Sequence, residues 1–82
     1  MKAMFILLSP EELTDEMRRR LRERLLAFAR SHNDVLFDSV GDEFYLTASR
    51  LGFEGYEGLV QEVSDFSAGI GMYVEDVIEY LE

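Results

Sequence analysis

The chain has 82 residues, 48% of them hydrophobic, which suffices for one compact domain and is too short for two cores. It contains no cysteine, which excludes a disulfide framework and any thiolate metal site. Its net charge of −9 is unevenly placed: the balance is +1 through Asp34 and −10 from Val35 onward, where Arg50 is the only base, so a phosphate-backbone partner is not expected.

Ala3 to Leu8 is apolar at successive positions and predicts a central strand. Met1 to Leu8 is far shorter than a membrane span and resembles no signal peptide, so a cytoplasmic protein with no membrane partner is expected. Ser9-Pro10-Glu11-Glu12 then reads as a helix start, with Ser as N-cap, Pro at the first helical position and Glu closing a capping box. Leu13, Met17, Leu21, Leu25 and Phe28 form an apolar stripe at helical spacing and carry this helix to about Ser31. The arginines from 18 to 24 lie mainly off the stripe, interleaved with acids, as on a solvated helix face. Asp15–Arg19 and Glu16–Arg20 are spaced as supporting pairs. His32 follows at the negative end of the helix dipole. As the only histidine in a chain without cysteine, it makes a poor candidate for zinc or catalysis.

Val35 to Ser49 is predicted to be a β-hairpin turning at Gly41-Asp42. That register sets Val35 against Ala48, Phe37 against Leu46 and Ser39 against Phe44 on one side. Asp38, Glu43, Tyr45 and Thr47 fall on the other. A glycine-bearing loop leads to a second helix from about Gly55 to Ala68, with Tyr56, Leu59, Val60, Val63 and Phe66 as its apolar stripe and Gly69 to end it. Ile70 to Val74 is expected as the last strand. In the tail, Val77, Ile78 and Leu81 share one face of a short terminal helix, with a continued edge strand as the alternative.

The order βαββαβ predicts an α+β, ferredoxin-like two-layer sandwich with an antiparallel sheet in the order 4-1-3-2. One face of that sheet would be open. In this topology Glu11, Glu12, Asp42 and Glu43 gather at one pole, with Asp65 nearby. Asp34, Glu54, Glu57, Glu75 and Asp76 gather at the other. Carboxylates converging from separate loops suit a hard divalent cation, calcium more readily than magnesium, because calcium accepts irregular oxygen coordination. The first pole is the leading expectation for a metal site and the second its alternative. No EF-hand loop is present.

Val40-Gly41-Asp42-Glu43-Phe44-Tyr45-Leu46 resembles the signature hairpin of the GGDEF nucleotide-cyclase group, and Ser67 to Tyr73 resembles the later strand of that palm-type fold. The resemblance implies a metal-binding role for Asp42 and Glu43 and close approach of the turn to a nucleotide. Val40 stands where that group has its first glycine, and Ser9-Pro10 where it has a metal-binding Asp, so two-metal catalysis lacks a ligand. In size and acidity the chain also looks like small archaeal α+β proteins, some described as calcium binders. Together these readings favour a non-enzymatic domain that binds divalent cations. The alternatives are an interaction module that takes a protein partner or a second copy on its open sheet face, near Leu36, Tyr45 and Tyr73, or a nucleotide-binding relic of the palm fold.

Overall fold

A computed structural model describes residues 1–80. Strand β1 (Lys2–Leu8), helix α1 (Asp15–Arg30), strands β2 (Val35–Val40) and β3 (Glu43–Ala48), helix α2 (Phe53–Gly69) and strand β4 (Tyr73–Tyr80) follow in the βαββαβ order. They build one antiparallel sheet ordered β2-β3-β1-β4, with both helices against one face: the ferredoxin-like arrangement.

Strand periodicity explains which face the helices cover. Ala3, Phe5 and Leu7 on β1 and Phe44, Leu46 and Ala48 on β3 alternate with half-exposed neighbours and are almost completely buried. Leu25, Phe28 and Ala29 of α1 and Leu59 and Val63 of α2 close over them. The one buried polar side chain among the described residues, Ser67, donates its hydroxyl to the Val63 carbonyl at 2.6 Å within its own helix, so its burial leaves no orphan.

The hairpin has the expected register, Val35 opposite Ala48, Phe37 opposite Leu46 and Ser39 opposite Phe44. Gly41 has φ +59° while Asp42 does not enter the left-handed region, which matches a turn of the II′ kind with glycine at its first central position.

Three boundaries differ from expectation. Helix α1 begins after Thr14, not at Ser9. The Thr14 hydroxyl accepts a hydrogen bond from the Met17 amide at 3.2 Å, whereas Ser9 accepts only from Glu11 two residues on. Glu11 and Glu12 therefore lie in an exposed loop, and Leu13 enters the core from that loop. Second, α2 is longer than expected at both ends. Third, the last strand begins at Tyr73 and continues to Tyr80, so no terminal helix occupies residues 75–80. Leu81, assigned to that helix face, lies outside the described residues.

The cause of the third difference is a register shift between Ile6 and Leu7, which face Asp76 and Val74. One extra residue in β4, Glu75, changes the phase of the strand. Val74 and Val77, three apart, thus stand opposite Leu7 and Phe5 and both pack on the core. Val77 and Ile78, expected to share one helix face, instead stand opposite Phe5 on the core side and Met4 on the open side, and the continued edge strand named as the alternative is the one that forms.

Candidate functional site

Extension of β4 moves two of the acids assigned to a pole. Asp76 pairs with Ile6 partway along the edge strand β4 and Glu75 lies beside it. Asp34 remains at the far pole, 3.8 Å from Arg50, and Glu54 and Glu57 are exposed on α2. The set Asp34, Glu54, Glu57, Glu75 and Asp76 is therefore divided between a pole and mid-strand.

The other pole is occupied by internal ion pairs. Arg18 Nε lies 2.5 Å from Asp42 Oδ1 at the hairpin tip, its guanidinium also contacts Asp15, and a third bond reaches the Leu13 carbonyl at 3.1 Å. Asp42 and then Asp15 raise the pKa of Arg18 further, so the guanidinium stays charged. Glu43 accepts a hydrogen bond from the Tyr45 hydroxyl, and that contact is the main reason the Tyr45 pKa is raised. Asp65 accepts from Gln61 at 2.9 Å. Glu11 and Glu12 stand apart on their loop. Among the described residues no three His, Asp or Glu side chains are arranged to hold a metal ion, so Glu11, Glu12, Asp42 and Glu43 are not brought together as a ligand set.

His32 ties the two helices. Its Nδ1 faces the Phe28 carbonyl at 2.8 Å, which requires a proton there, and Nε2 lies 2.6 Å from Glu62 of α2. Glu62, and next the Phe28 carbonyl, raise the imidazole pKa. The ring also stacks on Phe28, which in turn meets Phe66 of α2 at 4.7 Å between centroids. His32 lies just past the C-terminal end of α1, as its place in the sequence predicts, while its partner thirty residues away leaves no local signal in the sequence.

One face of the sheet is left uncovered by the helices. The strand registers set it out in rows. Leu36, Thr47, Met4 and Ile78 form one, and Asp38, Tyr45, Ile6 and Asp76 form the next. Val40 and Glu43 from the hairpin and Tyr73 from β4 lie toward the turn end. Met4 and Ile6 are only half-buried, and Leu36 and Val40 are 72% and 66% exposed. At the opposite corner the Lys2 ammonium lies 5.7 Å from the Tyr80 ring centroid. The face is thus an apolar band bordered by Asp38, Glu43, Glu75 and Asp76, with Lys2 as its one basic side chain among the described residues.

No helix among the described residues is long and apolar enough to cross a membrane. Residues 67–69, within the segment that resembles a palm-type strand, close α2, and the strand starts only at Tyr73. No family model matches the chain, and no curated protein or solved structure gives a match to it.

Proposed function

We propose that the protein is a binding module whose open sheet face takes a cationic amphipathic segment of a protein partner, most simply a helix laid across the strands. The observation that carries this reading is the apolar band of Met4, Ile6, Leu36, Val40 and Ile78, set among four carboxylates. Exposed apolar surface with a polar rim marks association sites, and opposite charge at the rim sets orientation and encounter rate. A second copy is a poorer occupant, because two such faces would bring acids against acids. Of the carboxylates expected to hold a divalent cation, Asp42 is paired with Arg18, Glu43 with Tyr45, and Glu75 and Asp76 lie along β4, while Glu11 and Glu12 stand on a separate exposed loop, which favours the face over a metal centre.

A titration with a synthetic Lys/Leu amphipathic helix, followed by amide NMR, tests the reading. Saturable shifts are expected along Met4, Ile6, Tyr45 and Ile78, weakening as salt rises. Leu36→Asp, at a highly exposed position, should lower affinity about tenfold by placing a desolvated charge in the contact. Shifts confined to the helical side, or a dimer formed through the same face, would overturn it.

A further inference from the structure

We propose that a groove on the helical side, remote from the open sheet face, binds a small singly charged carboxylate with an apolar tail. The groove has a volume of about 250 Å3 and lies where α1 meets the loop of residues 9–14 and the turn at Ile70-Gly71. It is a consequence of the late start of α1. Because the chain does not become helical at Pro10, Ser9 and Glu11 form a wall beside the helix rather than its first turn.

The lining has the two parts such a ligand requires. Leu13, Met17, Leu21 and Ile70 give an apolar floor, with Met17 able to adapt to tails of different shape. Arg20 and Arg24, one turn apart on α1, border that floor. Arg20 contacts Glu16 through one terminal nitrogen at 2.9 Å, leaving its other guanidinium donors, and Arg24 is in no salt bridge with another described residue. Two planar guanidinium groups at the rim suit the two oxygens of a carboxylate. Glu11 on the opposite wall adds one negative charge, which disfavours a dianion such as a phosphate monoester. The protein's charge of −9 repels anions at long range, so attraction is confined to the groove itself. An uncharged apolar molecule would leave both arginines unused, and a short carboxylate would leave the floor wet.

Methyl and amide NMR titrations of the intact chain with octanoate below its micellar range, octan-1-ol and acetate separate these contributions. Octanoate is expected to give saturable shifts at Met17, Leu21 and Ile70. Octan-1-ol and acetate should each bind about tenfold more weakly, since each lacks one half of the recognition. Arg20→Gln with Arg24→Gln, both at exposed positions, should reduce octanoate binding to the octan-1-ol level while leaving the spectrum of the core and the peptide titration at the sheet face unchanged. Equal affinity for octanoate and octan-1-ol, insensitivity to the double substitution, or octanoate shifts located on the sheet face would overturn the proposal.

Discussion

Thr14 and His32 show how single side chains hold this fold at the two ends of α1. Thr14 satisfies the Met17 amide at the N-terminus, and its replacement by Ala should lower stability by about 1 kcal/mol in denaturant unfolding. Ser9→Ala should cost clearly less, because Ser9 bonds only within the preceding loop. At the C-terminus, His32 holds protons toward both the Phe28 carbonyl and Glu62, so the imidazolium is the form that fits. Its pKa is raised in the folded state above the ordinary value of about 6.5. The resulting stabilisation is fully present below the unfolded pKa and disappears as pH rises through the higher folded value. Relative to His32→Gln, the wild type should therefore lose up to about 1 kcal/mol between mildly acidic and mildly alkaline pH, the range expected for a solvent-facing pair. Urea midpoints of both proteins across that interval provide the measurement. A constant difference between them would show that the His32–Glu62 contact does not act as an ion pair.

Strand β4 is the element whose identity most affects the surface, because it places Asp76 and Ile78 on the open face. Its amides should exchange with the alternation of an edge strand paired on one side to β1, protected and unprotected positions interleaved from Tyr73 to Tyr80. Uniform protection through 75–80 would instead indicate helix. The hairpin was legible in the sequence because its alternation permits only one register, and Val35–Ala48, Phe37–Leu46 and Ser39–Phe44 pair as expected. The β4 bulge was not, since the extra residue that puts Val74 and Val77 on one face depends on pairing with β1, seventy residues earlier. The start of α1 was ambiguous for a local reason: Ser9-Pro10-Glu11-Glu12 and Thr14-Asp15-Glu16 both carry cap chemistry, and burial of Leu13 accompanies use of the second. The Arg18–Asp42 clamp joins α1 to the hairpin tip across twenty-four residues, a contact that periodicity cannot reveal. The same limit hid the groove at Arg20 and Arg24, which exists only once the loop and the Ile70-Gly71 turn are folded against α1.

At the scale of the whole molecule, charge asymmetry governs the response to ions. From Val35 onward the balance is −10, with the described acids carried on β2, the hairpin turn, β3, α2 and β4, while Arg18, Arg19 and Arg20 of α1 are engaged locally with Asp15, Glu16 and Asp42. Self-repulsion in the compact state is relieved as the Debye length shrinks, to about 10 Å at 0.1 M ionic strength. Sodium chloride should therefore raise the unfolding temperature through the submolar range. Because Asp42 and Glu43 are taken by Arg18 and Tyr45 and no three carboxylates among the described residues are arranged to hold a metal ion, calcium should act as part of the same screening. At matched ionic strength it is expected to give a graded, non-saturating increase, accompanied by small amide shifts spread over the acidic residues. A specific site would behave differently, since a ligand that binds only the folded protein stabilises it in proportion to the logarithm of its concentration above Kd. Saturable shifts centred on Glu11, Glu12, Asp42 and Glu43, together with stabilisation beyond the sodium control, would mean that calcium displaces Arg18 from Asp42. Arg18 and the cation would then compete for the same carboxylate.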